Sequence, residues 1–434
     1  MKLFRHILCL GILLMPLVLR AAPLVSVRLE DYGSVRTPEA AGESFIRALN
    51  DISGKRLQLP PALIRITRDF TLKDCKKFEI VGSPKGGRIE CKIFMLLDCQ
   101  DFVVDGLSFY GTREQFASFY VIGDCRDFEI SNCRCDSEQD FAGNNTFYGI
   151  HVCGRADDPY SSYANSPKHF KIHDNVVRNT RYDGILVHGH CSDFVIENNT
   201  VIAPQCIGIE VEGRYGELKT TTVHRCRRGV IRNNHISDCG DWGILLMWSD
   251  NIVVTDNESR NAAGTFLSIG CKDLRVTRNI LEGTRKGFEI SQEFFAVEKG
   301  INEHIVVRNN TITCIARADG RGAVDIRHSR DVVFRGNKVK VAGRVSSGAI
   351  SVSSSVGVKI TDNEFSGDGE LPRYAVLCSN VLDPETGQDV PGLDLTQVRI
   401  VRNRLPLSFR DMRVKVPKGS DAVNIRGNSF RDDK

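Results

Sequence analysis

One short pattern recurs along most of the chain: an apolar residue, any residue, an apolar residue, two variable residues, then Asn. It reads FKIHDN (170–175), FVIENN (194–199), GVIRNN (229–234), IVVTDN (252–257) and LRVTRN (274–279), and five later copies end with VNIRGN (423–428). Three earlier copies, FEIVGS (78–83), FVVDGL (102–107) and FEISNC (128–133), lack the Asn. Closely spaced copies start 22 to 27 residues apart, and wider gaps mark insertions. A second apolar alternation precedes most copies, as in YGIHV (148–152), DGILVH (183–188), IGIEVE (207–212) and KGFEIS (286–291).

Period-two alternation punctuated by Gly and Asn specifies strands and tight turns. Strands that return at this spacing without intervening helices must stack on their own copies. The expected fold is therefore all-β: a single-stranded right-handed parallel β-helix of about 12–13 rungs with a short N-terminal capping helix. Asn is expected to do two things at each corner, adopting the left-handed backbone and bonding to the amide one rung above. The same register puts Cys75, Cys99, Cys125, Cys191, Cys226 and Cys271 three residues before successive copies, with Ser249, Ser329 and Ser355 in that slot elsewhere. This reads as a stacked column of small side chains. Without CxxC spacing, a metal or redox role for that column is the weaker alternative.

Strand order and the Asn turn resemble the pectate-lyase-like superfamily of right-handed β-helices over about residues 25–430. The opening is similar too: Val27-Arg28-Leu29-Glu30-Asp31-Tyr32-Gly33, a short helix, then Leu57-Gln58-Leu59-Pro60-Pro61. Thr37 as N-cap and Pro38 at the first helical position start that helix, whose Phe45, Ile46 and Leu49 are expected to plug the open end of the solenoid. The organisation is read as a signal peptide at 1–22, an N-terminal strand and capping helix at 23–70, and the β-helix at 71–434.

Lys2, Arg5 and His6 followed by an apolar run from Ile7 to Leu19 and by Ala21-Ala22 have the form of a secretory signal. A secreted, periplasmic or cell-surface location is expected, with no membrane span after cleavage. The formal charge of +4 falls to +1 once Lys2, Arg5 and Arg20 leave with the leader, which gives no reason to expect a nucleic-acid partner. A monomer is expected.

The resemblance places polysaccharide along the outer face of the strand that precedes the Cys/Ser turn. By alternation the outward column there is His151, Leu186, Glu210, Leu245, Ser268, Glu289 and Asp325. Its neighbour holds Cys153, His188, Glu212, Met247, Gly270, Ser291 and Arg327. Two polar clusters stand out. His151, His188, Glu210 and Glu212 lie on three successive rungs beside Arg181, Tyr182, Asp183 and Arg214. Imidazoles and carboxylates so placed suit a uronate, whose carboxylate must be neutralised while the C5 proton is removed. The Glu-x-Glu pair resembles the calcium site of the chondroitinase B and alginate lyase family, with Asn179 as an implied third ligand; Lys219 lies farther from the pair than that family's lysine. Glu289 and Asp325, with Arg327, His328, Gln292 and Glu293 nearby, form the second cluster, which suits either a glycoside hydrolase acid/base pair or a structural ion pair.

The leading expectation is thus an exported protein acting on an acidic polysaccharide as a lyase or epimerase. His188, His151, Tyr182, Arg181 and Arg214 are its catalytic candidates, and calcium is its candidate cofactor on Glu210, Glu212 and Asn179. The rivals are a hydrolase centred on Glu289, Asp325 and Arg327, and a non-catalytic glycan-binding or structural surface module. Insertions at 153–169, 213–228, 292–304 and 379–397 are expected to shape a groove. Trp242 and Trp248 either stack on sugar rings or turn inward.

Overall fold

A computed structural model describes residues 23–91, 93–111, 117–137, 148–154, 165–215, 223–291, 301–315, 322–341, 348–367, 374–379, 395–406, 413–415 and 423–431. Residues 1–22 and most of the four insertions, with Lys219, Gln292 and Glu293, lie outside the described residues.

Each of the thirteen pattern copies is a strand, and each strand pairs in parallel with the next copy, from Lys76–Val81 to Val423–Asn424. Two strands of the opening segment, Val25–Arg28 and Lys55–Gln58, extend the same sheet to fifteen. The other strands of each turn form two further faces, joined where Glu258–Ile269 and Ile280–Ser291 run continuously round the corner. The chain is therefore a three-faced parallel β-helix, with adjacent rungs about 4.8 Å apart.

Inward positions stack like on like. Phe78, Phe102, Phe128, Phe170 and Phe194 lie ring on ring, with successive centroids 5.1, 4.8, 4.8 and 5.4 Å apart. The sixth-position asparagines stack in the same way. Asn234 Nδ2 donates to Asn257 Oδ1 at 2.8 Å and to Ile196 O at 3.0 Å, while its own Oδ1 accepts from Asn199 Nδ2 at 3.0 Å.

The left-handed residue, however, is the one before that Asn. Asp174, Asn198, Asn233, Asp256, Arg278 and Asn309 all have φ of 55–58°. The two jobs expected of one Asn are divided, because the turning residue must project into solvent while its successor points inward to bond.

Thr37 Oγ1 accepts the Ala40 amide at 3.2 Å, and the helix Pro38–Asn50 buries Phe45, Ile46 and Leu49, with Phe45 stacked on Phe94 at 6.0 Å. These side chains cover the apolar end of the first rungs. None of the fourteen described cysteines is in a disulfide. Cys226 sits opposite Ser249 in register, and the Cys99 amide lies 3.3 Å from Cys125 Sγ, so the small-residue column is a packed one.

The outward column differs from expectation at one rung. Leu245 pairs with Leu267 and then Glu289, so Leu267 and Ile269 face out, whereas Ser268 points inward and bonds to Asn302 at 2.8 Å. The strand Glu258–Ile269 rounds a corner between Ser259 and Phe266, and its inward side changes there from odd to even positions.

Candidate functional site

The strands Tyr148–Cys153, Ile185–His188 and Ile209–Glu212 lie side by side, with His151 opposite Leu186, Leu186 opposite Glu210, Cys153 opposite His188 and His188 opposite Glu212. Ile150, Val152, Ile185, Val187, Ile209 and Val211 fill the core, so alternation sends the remaining side chains to the outer face. There the structure joins residues that are far apart in sequence. His188 Nε2 faces Glu212 at 3.9 Å, and its Nδ1 lies 3.7 Å from Cys153 Sγ. The His151 ring stacks 6.2 Å from that of His188 and lies between Tyr120 at 4.6 Å and Tyr148 at 4.7 Å. Tyr182, which is exposed, stacks on Tyr148 at 5.7 Å.

The electrostatics follow from burial. His151 is only 6% exposed, and neither ring nitrogen has a hydrogen-bond partner among the described residues. Burial, aided by the neighbouring His188, pulls its pKa down to about 3, which keeps the ring neutral. Asp183, in the turn before Ile185–His188, is buried and shares a hydrogen bond with Glu210. Burial raises both carboxyls, and the partner's charge pushes Glu210 up to about 10. The pair therefore holds a proton at neutral pH. Asp183 accepts the Ile207 amide at 3.0 Å, which favours its charge, so the proton resides on Glu210. Burial and these two carboxyls also raise the Tyr148 phenol, which stays protonated.

Residues 92–226 and, overlapping them, 163–314 match the family described as the right-handed β-helix region, together more than half of the chain. The chain belongs to that family. No curated protein matches this β-helix by sequence. Among solved structures it is similar to the A-modules of two Azotobacter vinelandii mannuronan C-5 epimerases. For AlgE4 the identity is 15%, covering 84% of this chain and all of that one, with a TM-score of 0.55. For AlgE6 the identity is 15%, covering 94% and all, with a TM-score of 0.57. It is also similar to PfbA, a surface adhesin of Streptococcus pneumoniae, at 10% identity over 85% of this chain and 95% of that one, with a TM-score of 0.53. At such identities the likeness is one of fold.

Of the β-helix's other candidates, Arg181 stands half-buried beside Tyr182. Arg214 lies in a two-residue strand paired with Val223–His224, and its side chain is outside the described part. Asn179 Nδ2 donates to Asp136 Oδ1 at 3.1 Å and to the Ser137 carbonyl, so that amide is committed to a neighbouring rung. A calcium ion on Glu210 would have to displace the proton that the carboxyl pair holds.

Glu289 and Asp325 do stand opposite each other, but both are shut off from solvent, and Asp325 meets Arg327 Nε at 2.6 Å. Trp242 and Trp248 are buried against Ile207, Leu245, Met247, Leu267 and Ile269 in an apolar cluster outside the solenoid core. Neither offers a face for a sugar. Sequence reasoning missed Tyr148 and Tyr120 as members of the site. Their signal was present, since Tyr148 opens the strand that carries His151, and Tyr120 is opposite His151 in register.

Proposed function

We propose that the β-helix is an exported carbohydrate-active protein that removes the C5 proton of a uronate in an acidic polysaccharide. The observation that carries this reading is His188, partly exposed and set between Glu212 and Cys153, on the same face as the Tyr148–Tyr182 aromatic pair. His188 takes the proton, and Glu212 orients the ring and favours the imidazolium that forms. Glu210 is held as a neutral acid, so it can donate to the substrate carboxylate instead of repelling it. Arg181, next to Tyr182, adds a positive charge. Tyr148 keeps its proton and supplies it, either to C5 from the opposite face, which inverts the carbon, or to the departing O4 as a C4–C5 double bond forms.

Two of the fold's neighbours are named C-5 epimerases, in keeping with the first outcome. The leader-like residues 1–22 support export, and among the described residues no helix is long and apolar enough to cross a membrane.

The purified chain should be incubated in D2O with mannuronan, polygalacturonate and dermatan sulfate. Epimerisation places deuterium at C5, elimination gives ultraviolet absorbance from unsaturated uronate, and His188→Ala removes either signal. Glycan binding without either signal would replace this reading by the non-catalytic one.

A further inference from the structure

His151, Cys153 and His188 form a constellation that polysaccharide chemistry does not require. One ligand-capable atom from each, two imidazole nitrogens and a thiol sulfur, lies within 4.8 Å of the other two. Two of these residues sit two apart on one strand, so both point out, and the third is directly opposite Cys153 on the next rung. The rigid β-helix brings them together without any help from a loop.

Three observations converge on a ligand. His151 is 6% exposed, yet neither ring nitrogen has a hydrogen-bond partner among the described residues, an expensive arrangement unless something occupies the space it faces. The Cys153–His188 distance of 3.7 Å is already close to the separation of roughly 3.5–3.6 Å that a sulfur and a nitrogen donor adopt on a tetrahedral zinc ion. Finally, His188 turns its other nitrogen towards Glu212 at 3.9 Å, the side from which a carboxylate orients a metal-bound imidazole.

We infer that His151, Cys153 and His188 bind a borderline-soft divalent transition metal of the zinc class, with a fourth position left open to water or a glycan oxygen. Two imidazoles and a thiolate are the wrong donors for calcium and the right ones for zinc or its cobalt surrogate. On binding, the Cys153 thiol releases its proton to solvent as the metal–sulfur bond forms. Metal binding at this site does not depend on the proposed reaction. The two meet only at His188, whose imidazole cannot serve as a base while a metal holds it, so zinc is expected to inhibit any C5 proton removal.

The test uses the full chain, stripped with chelator and then titrated with Co²⁺, without polysaccharide. One equivalent should produce tetrahedral d–d bands and a near-ultraviolet sulfur-to-cobalt charge-transfer band, and Zn²⁺ but not Ca²⁺ should remove both. Cys153→Ser should abolish the charge-transfer band, and His151→Ala should weaken binding at least tenfold, each with an unchanged circular-dichroism spectrum and melting temperature. A wild-type chain with no such band would overturn the site, as would a band that persists in Cys153→Ser and therefore belongs to another cysteine. Neither result depends on whether any uronate is turned over.

Discussion

His188 and Glu212 face each other across a single rung, the Nε2 of one 3.9 Å from a carboxylate oxygen of the other, and both remain partly open to solvent. In the proposed reaction this carboxylate steadies the charge that the imidazole gains. His188→Ala should lower kcat by about 10²- to 10⁴-fold, the usual worth of a general base. Glu212→Gln should cost on the order of tenfold, mostly in kcat. Equal losses in KM alone for both variants would make them binding residues.

Glu210 and Asp183 share one proton in a buried pair. Both folded-state pKa values lie above their unfolded ones, so the stabilisation is complete below about pH 4.5 and is lost as pH rises through the folded value. Above about pH 4.5 the unfolded chain has released a proton that the folded chain retains, and the unfolding free energy falls by up to about 1.4 kcal/mol per pH unit. Glu210→Gln keeps a neutral donor beside Asp183 and should flatten this slope. Urea unfolding of both proteins from pH 5 to pH 9 measures the difference.

Asn233 and Asn234 are adjacent and do different work. Asn233→Gly leaves an exposed left-handed corner intact and should change stability by no more than about 0.5 kcal/mol. Asn234→Ala strips acceptors from the Asn199 amide groups and a donor from Ile196 O inside the solenoid, and should cost about 3 kcal/mol. Denaturant midpoints at equal slope provide the comparison.

The phenylalanine stack ends at Gly229 because the Phe194 ring occupies the place where a side chain would begin. A β-carbon at 229 would lie 2.2 Å from Phe194 Cζ. Gly229→Ala should therefore destabilise the chain by about 1–3 kcal/mol. Adding Phe194→Leu should recover part of that loss, a coupling that a double-mutant cycle reads directly.

The repeat by itself determined the architecture, because a strand pattern with a period near 25 residues has nowhere to bury its apolar face except on its own copies. Alternation also put His151, His188, Glu210 and Glu212 on one outer face, since parity along a strand needs no tertiary information. Parity failed at Ser268, because the strand rounds a corner after Ser259 and its inward side changes there, and only the folded chain could place Leu267 outside. Burial was likewise a tertiary matter. Nothing local indicates that Trp242 and Trp248 are covered, that Asp183 in a turn reaches the carboxyl of Glu210 on the next rung, or that Asp325 is shut from solvent against Arg327. Cys153 and His188 are 35 residues apart, with an insertion between them, and only the stacking of rungs sets the thiol beside the imidazole. Which groups share a face is written in the sequence; which of them touch, and which keep their protons, depends on how closely the rungs and turns pack.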